Sequence, residues 1–105
     1  MSGWHLRLAG PGDRALVLRA DVFDGPAQAD RVAAFLGSDE QPDPRAILIL
    51  AMDAGGVVGF ASGQVQDHPD KPRSLFIMEL GVNEAGRRQG IGRALVQAIR
   101  AEGRR

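Results

Sequence analysis

Leu75-Phe76-Ile77-Met78-Glu79-Leu80-Gly81-Val82, then Asn83-Glu84-Ala85-Gly86, then Arg87-Arg88-Gln89-Gly90-Ile91-Gly92 and Arg93-Ala94-Leu95-Val96-Gln97-Ala98-Ile99, is the stretch that decides the fold. The first eight residues are apolar apart from one carboxylate and read as a strand. The last part reads as a helix from about Ile91 to Glu102. Between them Gly90 and Gly92 flank Ile91 beside three arginines, Arg87, Arg88 and Arg93. A helix N-terminus exposes unpaired N–H groups and the positive end of the helix dipole, and glycines let a phosphate approach the main chain with no Cβ in the way. The arginines add charge and donors at the same point. The pattern therefore predicts an anion site, although a helix start with a solvated basic turn would look the same from these residues alone.

Working outward, Ala46–Met52 predicts a strand buried on both faces, and Val57–Val65 its antiparallel partner across a turn at Asp53-Ala54-Gly55-Gly56. The glycines of that partner strand suggest close backbone approach or a bulge. Upstream, Leu6 and Leu8 alternate with polar residues as a short first strand with one face buried. Asp13 is the expected N-cap of a helix whose apolar face is Leu16, Val17, Ala20 and Phe23, ended by Asp24-Gly25-Pro26. A second helix is expected from about Ala27 to Leu36, with Ala29, Val32, Ala33 and Phe35 or Leu36 inward and Gly37 at its C-cap. Ser38–Pro44 reads as a loop. Strand, two helices, three strands and a helix make an α+β domain with a mostly antiparallel sheet of about four strands and three helices. Residues 1–105 are expected to form one domain.

Composition narrows the chemistry. The chain has 44% hydrophobic and 25% charged residues, ordinary for a globular protein. It has no cysteine, which removes disulfides, thiolate metal sites and cysteine nucleophiles. His5 and His68 lack the spacing of a metal site, so no metal is expected. The longest apolar run, Ala46–Met52, is far short of the roughly 20 residues of a membrane span. The N-terminus carries no export signal, and a cytoplasmic setting is the expectation. The net charge of zero conceals an asymmetry: residues 85–105 carry six basic groups and one acidic, so the rest of the chain is net acidic. Nucleic-acid binding by these arginines would lack interleaved aromatics.

The loop fits neither nucleotide fingerprint, lacking the lysine and hydroxyl of a phosphate loop and the third glycine of a dinucleotide turn. It fits Arg/Gln-x-x-Gly-x-Gly/Ala with Arg87, Gly90 and Gly92 in register. On these residues Leu75–Ile99 resembles the acetyl-CoA-binding core of the GNAT N-acetyltransferase superfamily, and with the upstream elements the resemblance covers essentially the whole chain. Asp21-Val22-Phe23-Asp24 and Pro72-Arg73-Ser74-Leu75-Phe76-Ile77-Met78-Glu79-Leu80 also resemble aminoglycoside 3-N-acetyltransferases.

The resemblance implies that acetyl-CoA is the co-substrate. Main-chain groups near Leu80, Gly81 and Val82 would align the pantetheine arm, and Arg87, Arg88, Gln89, Gly90, Ile91, Gly92 and Arg93 would bind the pyrophosphate. It further implies transfer to a primary amine, which must lose a proton before attacking the thioester. Glu79 is the expected base, because it interrupts an apolar strand beside the expected acetyl position. Strand periodicity puts it on the side of Leu75 and Ile77, partly buried. Glu84 is the second choice. Asp21, Asp24, Asp67 and Asp70 would attract a cationic acceptor such as an aminoglycoside or polyamine.

Members of the superfamily normally continue past this helix with a further strand, a helix and two closing strands, and often use a tyrosine from that part as general acid. This sequence ends at Gly103-Arg104-Arg105 and has no tyrosine. The expectation is therefore a shortened domain, either an acetyltransferase or a CoA-binding remnant without turnover. The fourth strand would be an open sheet edge through which two copies could pair.

Overall fold

In a computed structural model, the described residues are 3–38, 40–41 and 43–104. Part of the Ser38–Pro44 loop and Arg105 lie outside them. Four strands, β1 (His5–Leu8), β2 (Ala46–Asp53), β3 (Gly56–Gln66) and β4 (Ser74–Val82), form one sheet in sequence order, every pairing antiparallel. Three α-helices, α1 (Arg14–Arg19), α2 (Ala29–Leu36) and α3 (Ile91–Gly103), cover its two faces.

The strands of the β2–β3 hairpin are the centre of the sheet, which is why their apolar runs are almost continuous. Ile47, Ile49, Ala51, Val58 and Ala61 point to one face and pack with Ile91, Leu95 and Ile99 of α3. Leu48, Leu50 and Phe60 point to the other and pack with Val17, Val32 and Leu36 of α1 and α2. The spacing of Ile91, Leu95 and Ile99 gives α3 a single buried stripe. The glycines of β3 serve this packing: a Cβ at Gly59 would lie 3.2 Å from Ile91 and Leu95, and one at Gly63 would lie 3.0 Å from Ile99.

Asp13 holds the N-cap position of α1 as expected, without a side-chain cap hydrogen bond. Its carboxylate instead accepts from Gly10 N–H at 2.9 Å and from Arg7 at 2.8 and 3.0 Å, closing the turn between β1 and α1. Three other expectations are corrected, the first being the end of the first helix, which stops at Arg19, with Ala20 extended, well before Asp24. Tertiary packing outweighs helical spacing here, because the non-helical chain brings Phe23 against Phe60, ring centroids 4.4 Å apart. Leu8 is 53% exposed, since β1 lies at the sheet edge with little above it, and Ala29 is exposed at the start of α2.

Asp67, between β3 and β4, accepts from Arg73 at 2.7 Å and from Arg45 at 2.6 Å. These charge-assisted bonds hold its carboxyl below the usual range, Arg73 contributing most and Arg45 next. A carboxyl depressed in the folded state contributes stability above its unfolded pKa and loses it as pH falls through the folded value. Acidification should therefore release the loop from Arg45 only below the normal aspartate range. Carbon-detected NMR titration of Asp67 would show this, and a midpoint at or above that of an ordinary aspartate would contradict it.

Candidate acetyl-transfer site

The path from β4 to α3 is locally determined. Asn83 accepts from Gly86 N–H at 3.0 Å and caps a 3-10 turn at Glu84–Gly86. Arg87 follows extended, and its Nε donates to the carbonyl of Val82 at 3.3 Å. Gln89 Nε2 donates to Ala85 O at 3.0 Å. These two side chains thus brace the loop against the strand that precedes it. Arg88 has φ 66° and Gly90 φ 77°, both left-handed. An arginine there costs about 1–2 kcal/mol, so the loop holds Arg88 in place against its own preference.

No side chain caps α3, and its first backbone hydrogen bond runs from Ala94 N–H to Gly90 O at 3.1 Å. The first-turn amides of Ile91, Gly92 and Arg93 are thus left open at the positive end of a 13-residue helix. A Cβ at Gly90 would meet nothing within 4 Å, and one at Gly92 only Val82 at 3.9 Å, so the space in front of the loop is clear. Arg88 and Arg93 are exposed, with no ion pair among the described residues. Of the expected pyrophosphate residues, Ile91 differs in kind, since its side chain is fully buried against the sheet and only its amide faces the loop.

On the other face of the sheet a cleft of about 340 Å³ opens between the segment leading into α2 and strands β3 and β4. Phe23, Phe60 and Met78 supply apolar wall, while Asp24, Gln28, Arg31, Ser62 and Glu79 supply polar side chains. Glu79 reaches this cleft by a route that strand periodicity misses. Gly63 pairs with Ile77, but Ser62 pairs with Glu79, leaving Met78 as the extra residue of a β-bulge. Upstream of the bulge Leu75 packs on the α3 face. Downstream, Glu79 shares the face of its partner Ser62, itself the partner of Leu48 under α1 and α2. The expectation that Glu79 lies on the side of Leu75 and Ile77 is therefore corrected, as is its partial burial, since Glu79 is exposed at the cleft. Two residues on, a Cβ at Gly81 would sit 2.7 Å from Phe60 and 2.9 Å from the carbonyl of Val22, so only glycine lets that segment cross the strand so closely.

The acidic residues divide. Asp24 lines the cleft beside Glu79. Asp67 is committed to two arginines, Asp70 lies 4.0 Å from Lys71, and Glu84 sits in the 3-10 turn, none of them in the cleft lining. Ser62, Arg31 and Met78 were not legible as site residues. For Ser62 the available signal was a hydroxyl standing between Ala61 and Gly63 in an otherwise apolar strand. Among the described residues no group of three metal-ligating side chains occurs, and no helix is long and apolar enough to cross a membrane.

An open helix N-terminus after the fourth strand is an arrangement suited to an anionic ligand. The acetyltransferase (GNAT) family model matches residues 14–105, and the chain belongs to that family, whose co-substrate is acetyl-CoA. One relative, an L-2,4-diaminobutyric acid acetyltransferase of Virgibacillus pantothenticus, is 46% identical over 44 residues, 42% of this chain. The match spans about a quarter (26%) of that relative's length. Two solved structures share the fold. A ribosomal-protein-alanine N-acetyltransferase from Brucella melitensis biovar Abortus 2308 superposes with TM-score 0.72 at 18% identity, covering 97% of this chain and 72% of its own. An aminoglycoside acetyltransferase from an uncultured soil metagenomic sample, in complex with sisomicin, gives 0.70 at 17% identity, covering 93% and 68%.

Proposed function

We propose that this chain moves the acetyl group of acetyl-CoA to a primary amine seated in the cleft, with Glu79 as the base. The observation that carries this is the bulge at Met78, which turns a lone strand carboxylate into the cleft on the same strand that runs through Gly81 and Val82 to the anion-binding loop. The first-turn amides of α3, with Arg88 and Arg93, bind the pyrophosphate, and the main chain of Leu80–Val82 aligns the pantetheine. Arg87 and Gln89 hold the loop in shape through Val82 and Ala85. The amine arrives as an ammonium, attracted by Asp24 and Glu79, and gives a proton to Glu79. Its nitrogen then bonds to the thioester carbonyl carbon, the C–S bond breaks, and the second proton lost by that nitrogen is balanced by one taken up on sulfur, so that the products are the amide and CoA thiol.

For the acceptor, apolar wall and two carboxylates suit an organic cation of the polyamine or aminoglycoside kind. Arg31 in the same lining favours a second reading, an amine that also carries a carboxylate, the chemistry named for the diaminobutyrate relative. A second copy of the chain could cover the open edge of β4, where Phe76, Met78 and Leu80 are 57%, 40% and 47% exposed. A strictly monomeric species in sedimentation at high concentration would refute that pairing. The function itself is tested by calorimetric titration with acetyl-CoA, followed by thiol release across a panel of polyamines, aminoglycosides and diamino acids. Binding with thiol release is the expected result. Binding without release from any amine would leave a CoA-binding remnant, and no binding would dismiss the use made of the loop.

A further inference from the structure

Ser62 is the one buried polar residue among the described core positions, 5% exposed, and its Oγ has no hydrogen-bond partner. Leaving a buried hydroxyl unsatisfied costs stability, and natural proteins keep such groups rarely. This one lies at the floor of the cleft, on β3, paired directly across the sheet with Glu79. Directly opposed residues of an antiparallel pair have Cβ atoms about 4.5–5.5 Å apart. A nitrogen resting between the two side chains would be within reach of both once the groups that close the Ser62 Oγ to solvent move aside to admit it. The position also falls at the register shift, so the same bulge that turns Glu79 into the cleft sets the carboxylate over the hydroxyl. The same lining has Phe60, Leu48 and Met78 as apolar wall, with Gln28 and Arg31 as its other side-chain donors.

We propose that Ser62 Oγ is an acceptor-binding group that takes a hydrogen bond from the substrate's ammonium while Glu79 takes the opposing one, so that the pair defines the seat of the reacting nitrogen. The ligand class is a primary ammonium on a partly apolar carrier. A nitrogen held from two sides is oriented as well as bound, and orientation of the attacking atom is a large part of the rate of a transfer reaction. The proposal rests on the acetyl-transfer reading for the fate of that nitrogen, whereas its binding is measurable alone.

The test compares wild type and Ser62→Ala, with spermidine as the amine probe in calorimetry and a thermal melt of each protein without ligand. Loss of a hydrogen bond to a charged group should raise the spermidine Kd about 10-fold, with the acetyl-CoA Kd unchanged. Removing an orphaned hydroxyl should at the same time raise the Tm, by about 4 °C. An unchanged spermidine Kd would overturn the proposal. So would a lower Tm, which would mean that the hydroxyl is bonded within the protein, and so would wild type that does not bind spermidine. Spermidine binding that weakens in Ser62→Ala, in a protein that releases no thiol, would uphold the amine seat and remove the acetyl-transfer reading instead.

Discussion

Glu79→Gln should lower kcat by about 10²–10⁴-fold while leaving the Kd for acetyl-CoA unchanged, the range that removal of a general base gives. Glutamine keeps the shape of the side chain and its place on the cleft face but cannot accept a proton. The loss should fall mainly on kcat and be smaller at high pH, where more of the amine arrives already neutral. Steady-state kinetics from pH 6 to 10 with a calorimetric Kd separate these effects. Full activity in Glu79→Gln would remove it as the base, and loss of acetyl-CoA binding would place it with the cofactor instead. Exposure at the cleft does not weaken the assignment, since the ammonium itself would partly exclude water from the carboxylate.

Gly90→Val should raise the acetyl-CoA Kd about 100-fold or more. Gly90 has φ 77° and ψ 11°, a conformation costly for any side chain and most of all for a β-branched one. Its Cβ would project into space free of protein atoms, so the damage is not a clash within the fold. Instead the loop must either bear the strain or turn its amides away from the ligand, and each hydrogen bond to an anion lost in this way costs about 1.5–3 kcal/mol. Calorimetry with acetyl-CoA reads the affinity, and circular dichroism shows whether α3 still forms. Wild-type affinity in a folded Gly90→Val protein would count against the loop as the pyrophosphate site. A milder loss is expected of Arg88→Ala, which removes a solvated charge but keeps a Cβ in the same left-handed backbone and so leaves the strain of the loop as it was.

Much of this was legible in the chain because composition and geometry agree there. Ala46–Met52 is apolar and branched enough to read as a strand buried on both faces, Val57–Val65 reads as its antiparallel partner, and the observed β2 and β3 extend them by only a residue or so. Gly90 was legible as a turn position and stands left-handed at φ 77°, whereas Gly92 lies within α3 and the second left-handed position is held by Arg88. The end of α1 was not legible, since Phe23 continues the helical spacing but packs on Phe60 from a non-helical segment whose Val22 carbonyl lies over Gly81. The side of β4 on which Glu79 lies was also hidden. No glycine or proline marks Met78, and the shift is imposed by the pairing with β3, which strand periodicity alone cannot see. Ser62 escaped notice for a related reason: its meaning comes from lacking a partner, a property of three-dimensional neighbours.

The bulge at Met78 also acts as a phase marker for anyone comparing or redesigning β4. Residues from Ser74 to Ile77 and residues from Glu79 to Val82 alternate in opposite phase, so odd numbers face α3 before Met78 and the cleft after it. Acceptor-contacting positions transplanted from another enzyme must therefore be counted backward from Val82, because a count forward from Leu75 would install every one of them on the wrong side of the sheet. Deleting the single residue Met78 would likewise be no small edit. It would rotate one end of the strand against the other and send either Glu79 to the α3 face or Leu75 to the cleft face.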